Sequence, residues 1–401
     1  MSTAIQAHAD RAHSELSPSG SERWLSCPGS VLLERQFPED ESSEYADEGE
    51  CAHELSELHL SLWFGKISKK EHTKRLKEIK NNPFYSQEME DYVQTFVDVA
   101  IERINAARAR TPDATVLLEE RLDYSPWAPE GFGTGDVVVI ADSVLDVIDL
   151  KYGKGIPVFA NENSQLRLYG LGGYNGFGFL YDIQKVRVTI VQPRLDSITF
   201  EEIAISDLLK WADEVVKPGT ALALSGEGET VPGDHCQFCR ARYTCKARKD
   251  ANWAVLEYEF QEPKLLTNEE LAEVRGKLDD LVSWASDVKE YMLSQAENNG
   301  VKFPGWKLVE GRSNRVYSDK EKIKKKLLDA GFASDVIHEP QEILAITKME
   351  KAIGKKQFTE LLSDLIVKPA GKPTLVEESD KRPELSSIAS IESEFGDMVD
   401  E

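Results

Sequence analysis

Apolar residues recur at helical spacing in the N-terminal part of the chain. Between positions 48 and 64, Leu55, Leu58 and Leu62 fall three or four residues apart. This spacing places them on one face of a helix and predicts an amphipathic helix over this range. Similar patterns predict helices over residues 17–35 and 86–107.

The pattern changes to alternation and short apolar runs after residue 114. Strands are predicted over residues 115–122, 136–141, 144–151 and 186–192, because a period of two is typical of strands. The middle two form a predicted hairpin around Asp142 and Ser143. With predicted helices over 165–174 and 203–221, the order of elements indicates an α/β fold with a mixed sheet.

A second unit is predicted to begin near residue 263. Thr267 and Glu270 form a capping box, and apolar residues at helical spacing follow it as far as Met292, which predicts a long helix. A hairpin over 305–317 and helices over 320–330 and 348–365 are also predicted. The predicted organisation is a flexible segment 1–16, a first domain 17–260, a mainly α-helical domain 261–376 and an acidic, disordered tail 377–401.

Composition and charge limit the function classes. The chain has 401 residues, of which 41% are hydrophobic and 30% charged, values typical of globular proteins. It has no apolar run near the ~20 residues of a membrane helix and no apolar signal core, so we expect a cytoplasmic protein without a membrane partner. The net charge of −23 argues against loose DNA binding by the whole surface. Cations bound in a cleft would reverse the sign locally.

Two basic islands interrupt the acidic sequence. The first lies between Lys66 and Lys80, and the second contains Lys320, Lys322, Lys324, Lys325 and Lys326. Each is either a solvated helix face or a strip that contacts phosphates. The first follows the predicted helix that carries His53, so we expect it to line the route to a metal bound there.

Four of the five cysteines indicate a metal site. Cys27 is near the start of the chain, and Cys236, Cys239 and Cys245 form a C-x2-C-x5-C motif far downstream. In a reducing compartment this spacing favours metal over disulfides. The thiolates form one site only if the fold returns Cys27 to the other three. Zinc and an iron–sulfur cluster are both possible, and the absence of a second C-x2-C step favours the cluster. Cys51 is expected in the core.

Two acids and a lysine are candidates for phosphodiester chemistry. Asp136 begins a predicted strand, and Asp149 and Lys151 end the next one. Residues i and i+2 of a strand face the same side, and the hairpin would bring Asp136 to the same end of the sheet. Carboxylates bind Mg²⁺ or Mn²⁺, the cation activates water, and a lysine stabilises developing negative charge. The alternative is an ordinary ion pair between Asp149 and Lys151.

Further candidates lie on the neighbouring elements. His53 is either a metal ligand or a structural histidine, and one of Glu119 and Glu120 could support the metal. Gln165 and Tyr169 are four residues apart and therefore share one face of a helix. They could hydrogen-bond the substrate phosphates or the lysine, or Tyr169 could be a core residue.

The order of these motifs resembles the RecB-like branch of the PD-(D/E)xK nucleases. His53 is followed by G-x-x-D at 133–136, D-x-K at 149–151 and Q-x3-Y at 165–169. The cysteine pattern resembles the members of that branch with an iron–sulfur cluster, such as CRISPR-associated RecB-like exonucleases and AddB-type nuclease domains. The resemblance covers about residues 15–250. The layout of the whole chain is similar to a phage- and prophage-borne family.

The resemblance implies a restriction-endonuclease-like mixed sheet flanked by helices, followed by a mainly helical extension. It implies that Mg²⁺ or Mn²⁺ binds to His53, Asp136 and Asp149, with a possible further ligand from the Lys151 carbonyl. The Lys151 side chain would assist the attacking water, and Gln165 and Tyr169 would position DNA. Asp149 stands where many relatives carry Glu, and this shorter carboxylate should still bind metal.

The same resemblance implies a structural [4Fe–4S] cluster. Its ligands would be Cys27, Cys236, Cys239 and Cys245. The cluster would tie the N-terminal helix to the C-terminal loop of the domain.

We therefore expect a metal-dependent DNA exonuclease that acts on DNA ends in phage recombination or replication. A phage single-strand-binding or annealing protein is a further expected partner, and the sequence has no helicase motif. The alternatives are a structure-specific endonuclease or nickase, and a DNA-binding scaffold on a nuclease fold that no longer cuts. The complete set of two acids, lysine and histidine weighs against the scaffold.

Overall fold

A five-stranded mixed sheet lies in the first of two compact units, which cover Met1–Val309 and Glu310–Glu401. The structure is a computed structural model that describes residues 14–38, 43–254 and 266–309, and single positions at 322, 325, 329, 354, 357 and 358. The strands, in their order across the sheet, are β1 (Thr115–Asp123), β2 (Phe132–Ala141), β3 (Val144–Leu150), β4 (Lys185–Gln192) and β5 (Ser197–Ala204). Strands β3 and β4 are parallel, and the other neighbours are antiparallel. The predicted α/β fold with a mixed sheet is confirmed.

The β2–β3 hairpin forms at the position that the sequence predicts. Asp142 and Ser143 have φ values of 50° and 60°, as a two-residue type I′ turn requires. Pairing continues from the turn to Val137 and Ile148. The register of this hairpin determines which residues meet at its open end.

Helices cover both faces of the sheet, so the side chains of β2 are buried on both sides. Val138 and Ile140 belong to one core, and Val137 and Val139 to the other, as alternation along a strand requires. The first core also receives α1 (Ser21–Ser26), α2 (Ser30–Glu34), α6 (Ser164–Phe177), α7 (Ile205–Trp211) and α8 (Lys217–Ser225). The second receives α3 (Glu44–Trp63), α4 (Lys69–Ile79) and α5 (Gln87–Arg110).

Two predicted helices are interrupted, and a proline accompanies each interruption. The helix expected over 17–35 is divided into α1 and α2, with Pro28 between them. The helix expected over 203–221 begins only at Ile205, after β5, and a π-helical segment over Ala212–Val216 precedes Pro218 near the start of α8. Proline has no N–H to donate and therefore disrupts the regular helical ladder.

Helices α9 (Lys246–Ala254) and α10 (Asn268–Asn298) both lie in the first unit. The capping box of Thr267 and Glu270 forms as predicted. The sequence placed α10 beyond a boundary at residue 260, whereas the first unit extends to Val309. An ion pair between Arg248 of α9 and Asp280 of α10 joins the two helices.

Several predicted segments lie outside the described residues. They are residues 1–13 of the predicted flexible segment, residues 310–317 of the predicted hairpin, most of the helices over 320–330 and 348–365, and the tail 377–401. Of the N-terminal segment, Leu16 is described; it is buried, and its carbonyl accepts a hydrogen bond from Tyr124. None of the helices in the described part of the chain combines the length and the apolar content that spanning a membrane requires.

Asp146 of β3 tests how a buried charge affects the stability of the sheet. Burial raises the pKa of Asp146 to about 6, although Arg187 and Arg103 oppose the rise. A carboxyl group with a raised folded pKa destabilises the protein increasingly as pH rises from about 4 through about 6. We expect Asp146→Asn to raise the free energy of unfolding by about 1–3 kcal/mol at pH 7.5 and by less at pH 5, measured by urea unfolding.

Asp142, in the β2–β3 turn, is the control, because its pKa is shifted in the opposite direction to that of Asp146. Hydrogen bonds from Thr111 and Arg110 lower its pKa, so its contribution is present at neutral pH and is lost in acid. Asp142→Asn should therefore lower stability at pH 7.5 and have less effect in acid. If Asp146→Asn raised the free energy of unfolding by the same amount at both pH values, the buried charge would not be the cause.

Candidate metal centre and cysteine cavity

Asp136 and Asp149 occupy neighbouring positions at the open end of the β2–β3 hairpin. The paired residues farthest from the turn are Val137 and Ile148. Asp136 directly precedes Val137 in the chain, and Asp149 directly follows Ile148. Asp136 Oδ2 accepts a hydrogen bond of 2.7 Å from the backbone N–H of Leu150. Asp136 is 6% exposed and Asp149 2%. The hairpin therefore buries two carboxylates at one end of the sheet.

Lys151 directly follows β3, and its side chain lies beside Asp149. Lys151 Nζ is 2.9 Å from Asp149 Oδ2. The backbone N–H of Lys151 donates to the carbonyl of Val191 at 2.9 Å, which keeps this residue in register with β4. The D-x-K residues thus share one side of the strand, and the ion pair that the sequence allowed is present.

Helix α3 and strand β1 bring two more ligand groups to Asp136. His53 Nδ1 lies 3.1 Å from Asp136 Oδ1. The ligand atoms of His53, Glu119 and Asp136 all lie within 4.8 Å of one another, a spacing that one divalent cation can bridge with ligand distances near ~2.0–2.6 Å. Of the two glutamates considered from the sequence, Glu119 is the one in this group.

Burial and mutual charge shift the pKa values of these groups in different directions. Burial disfavours the imidazolium, but the charges of Asp136, Glu119 and Asp149 outweigh it and raise the pKa of His53 to about 9. Burial acts to raise the pKa of Asp136, and the charge and hydrogen bond of His53 reverse this and lower it. Burial raises the pKa of Asp149 against the opposing charge of Lys151. Three carboxylates thus face two cationic side chains, an imbalance that a bound cation would relieve.

Helix α6 contributes Gln165 and Tyr169. Gln165 Nε2 donates to Tyr169 Oη at 3.0 Å, as their spacing of one helical turn allows. Burial, together with the charges of Asp149 and Asp136, raises the pKa of Tyr169 well above its usual range. A Cβ on Gly133 would lie 2.7 Å from the Tyr169 ring, so the glycine of G-x-x-D permits this close approach.

The fold returns Cys27 to the other three cysteines of the motif. A cavity with about 320 Å³ of space, its open side included, is lined by Cys27, Cys236, Cys239 and Cys245. Cys27 Sγ accepts a hydrogen bond from the N–H of Val231 at 3.2 Å, and Cys236 Sγ accepts one from Gly233 at 3.4 Å. Burial raises the pKa of Cys236, and the hydrogen bond from Gly233 opposes the rise. Cys51 is buried in the core with α3 and α5, as predicted.

His235 and Arg248 also line this cavity, and the sequence analysis missed both. His235 Nε2 lies 2.9 Å from the carbonyl oxygen of Val231, and a hydrogen bond with Cys27 raises the pKa of His235. His235 is adjacent to Cys236 in the sequence, a signal that could have identified it. Arg248 lies outside the C-x2-C-x5-C motif, so spacing gave no indication of its position.

Arg248 joins the cysteine segment to α10. Its side chain is 0% exposed and lies 2.7 Å from Asp287 Oδ2, and it also donates to Asp280. Asn252 adds a bond of 2.8 Å to Asp280. A guanidinium buried in this way requires both carboxylates, so the position of α10 depends on residues next to Cys245.

The fold and the site define an α/β protein with a candidate cation centre and a cysteine-lined cavity. Residues 13–383 match the family described as "Protein of unknown function (DUF2800)". The chain belongs to this family. A solved structure described as "Crystal structure of SSO0001" aligns with 60% of this chain and 90% of its own, at 12% identity and a TM-score of 0.22. A similarity at this score carries no argument about fold or activity.

Replacing Asp280 and Asp287 together by Asn tests the network that holds α10. The change leaves the Arg248 guanidinium without a counter-charge, and Asp280 is itself 42% exposed, so we expect the free energy of unfolding to fall by about 1–3 kcal/mol. Adding Arg248→Met should restore most of the loss, because apolar side chains often replace a buried ion pair without cost. Urea unfolding is followed by the near-UV signal of Trp253 and Trp284, whose rings lie 5.8 Å apart.

The matched control is Asp279→Asn, which removes the exposed ion pair between Asp279 and Arg275 on the same helix. This change should alter stability by less than about 0.5 kcal/mol. If the Asp280 and Asp287 double variant were as stable as this control, the network would not be what holds α10.

Proposed function

We propose that this protein is a metal-dependent DNA exonuclease of the RecB-like PD-(D/E)xK type. The observation that carries the proposal is the convergence of His53, Asp136 and Asp149 with the Lys151 ammonium at one end of a mixed sheet. Phosphodiester hydrolysis needs ligands for a cation, a group that orients water and positive charge near the phosphate. These residues can supply all three.

The donor set fits a hard divalent cation, Mg²⁺ or Mn²⁺. Carboxylate oxygens are preferred ligands of both ions, and imidazole suits Mn²⁺ better than Mg²⁺. His53, Asp136 and Asp149 would hold the ion. When bound, such a cation polarises the phosphate and lowers the pKa of a coordinated water.

Lys151 would orient the attacking water and stabilise the negative charge that develops on the phosphate. Its ion pair with Asp149 at 2.9 Å fixes the ammonium beside the carboxylates, so little reorganisation is needed during the reaction. The raised pKa of Tyr169 keeps its hydroxyl protonated. The Tyr169 hydroxyl can therefore donate a hydrogen bond to a phosphate oxygen, and the side-chain amide of Gln165 can donate another.

We also propose that the cysteine cavity holds a [4Fe–4S] cluster. The four thiols line one cavity, and both zinc and an iron–sulfur cluster bind four thiolates. Zinc ribbons usually have two C-x2-C steps, whereas this chain combines a lone Cys27 with one C-x2-C step and one C-x5-C step, a pattern that favours the cluster.

The first basic island is the surface that we propose for DNA. Most of its cationic side chains are exposed: Lys66, Lys69, Lys70, Lys74, Lys77 and Lys80. Burial raises the pKa of Glu120, and the charge of Lys66 opposes the rise, which puts the start of the island near β1. Repulsion from distant acids is screened beyond about 8–10 Å at physiological salt, so a local strip can hold phosphates on an acidic protein.

Replacing Lys151 by Met tests the chemistry. The change removes positive charge at the reacting phosphate, so we expect cleavage to slow by about 10²–10³-fold or more, with DNA affinity little changed. The measurement is single-turnover cleavage of end-labelled duplex DNA with Mn²⁺. The control is Lys154→Met, an exposed lysine three positions on, which should cut at the wild-type rate.

A Lys151→Met protein that cut at the wild-type rate would disprove the assigned site.

Covalently closed circular DNA is the second substrate in the same assay. An exonuclease leaves it intact, whereas cleavage of the circle would favour the endonuclease or nickase. Tight binding without cleavage of any substrate would favour a scaffold.

Anaerobic purification tests the cysteine cavity. We expect bound iron and sulfide and an absorbance near ~400 nm. Cys27→Ala should lower the iron content and the midpoint of thermal unfolding together, because a metal centre held by both ends of a domain contributes its binding free energy to folding.

Cys51→Ala is the matched control for a buried cysteine. Cys51 is 1% exposed but lies in the core with α3 and α5, so its loss should destabilise the protein while iron content is retained. Stoichiometric zinc without iron in the wild-type protein would overturn the cluster.

A further inference from the structure

Glu119 has an unusual backbone conformation in the middle of a strand. Its φ is 52°, in the left-handed region that non-glycine residues rarely adopt. The β1–β2 pairing includes Leu118 with Val137 and Glu120 with Gly135, and it omits the position between them. The distortion is therefore confined to the residue that stands opposite Asp136.

This position sets two carboxylates against each other. The carboxylate oxygens of Glu119 and Asp136 lie within 4.8 Å of each other, and like charges at this distance repel. Asp136 is 6% exposed, so water screens this repulsion poorly. A strained backbone that directs Glu119 toward a buried acid is an arrangement that a bound cation would stabilise.

We propose that Glu119 is a further protein ligand of the divalent cation, beside His53, Asp136 and Asp149. This inference rests on the proposed metal-dependent function. The ligand atoms of Glu119, His53 and Asp136 are mutually within 4.8 Å, and two carboxylates with one imidazole suit Mn²⁺. These three ligands come from α3, β1 and β2, so the centre connects the helix layer to two neighbouring strands.

The contacts of Asp149 support a place for Glu119 among the ligands. Asp149 Oδ2 is held by Lys151 at 2.9 Å, whereas Asp136 Oδ1 faces His53 at 3.1 Å. The ligand atoms of Glu119 lie within 4.8 Å of those of His53 and Asp136, so Glu119 is on the His53 side of the centre. Asp149 is on the Lys151 side, where its Oδ2 fixes the ammonium.

The test is calorimetric titration of the full-length protein with Mn²⁺ alone, without DNA. We expect Glu119→Gln to weaken Mn²⁺ binding at least about tenfold. Glu120→Gln is the matched control, since Glu120 is the next residue on β1 and lies outside the convergent group. It should bind Mn²⁺ as the wild type does.

Glu119→Gly separates the ligand role from a purely structural one. Glycine adopts positive φ without strain, so the metal-free Glu119→Gly protein should unfold at a higher temperature than Glu119→Gln. Its Mn²⁺ affinity should nevertheless fall as far as that of Glu119→Gln. A structural role alone would restore binding as the strain is relieved, and that result would overturn the proposal.

The remaining outcomes distinguish this inference from the proposed function. If Glu119→Gln bound Mn²⁺ as the wild type does while Asp136→Asn lost binding, Glu119 would not be a ligand, and the proposed nuclease would stand. If the wild-type protein bound no Mn²⁺ and cleaved no DNA, both proposals would fall.

Discussion

Asp136 and Asp149 are buried at neighbouring positions of one hairpin, and an ionised carboxylate in a protein interior costs several kcal/mol unless it is paired. The surrounding elements meet this requirement from different directions. Helix α3 contributes His53, the end of β3 contributes Lys151, and the N–H of Leu150 hydrogen-bonds to Asp136. The placement of α3 against the sheet is therefore linked to the charge of the hairpin.

A second dependence links the cysteine segment to α10. Glu34 of α2 is buried; it pairs with Arg23 at 2.7 Å and accepts the backbone N–H of Arg240 at 2.8 Å. Arg248, a few residues beyond, is buried against Asp280. Both ion pairs involve residues that lie close in sequence to the cysteines of the cavity. The N-terminal helices, the cysteine loop and α10 are thus connected by buried charge as well as by apolar contact.

Much of the sheet and part of the site could be predicted because their signals are local. Alternation predicted the β2–β3 hairpin, and the register of that hairpin brought Asp136 to Asp149. The strand β5 was missed, because it lies at the edge of the sheet and its partly buried positions carry polar residues, whereas its apolar Ile198 and Phe200 are exposed. The positive φ of Glu119 and the pairing of Arg248 with Asp280 arise from contacts between distant segments. In the sequence these residues resemble ordinary surface charges.

The separation of Cys27 from its partners in the cavity has a consequence for biosynthesis. Cys27 and Val231, which donates a hydrogen bond to its sulfur, are 204 positions apart. At about 5–20 residues per second, a ribosome needs ~10–40 s to cover that distance. The hairpin with Asp136 and Asp149 is synthesised within this interval, so its strands can pair while the cavity still lacks three of its four thiols. A metal group that needed all four thiols could therefore be inserted only late in the maturation of the domain.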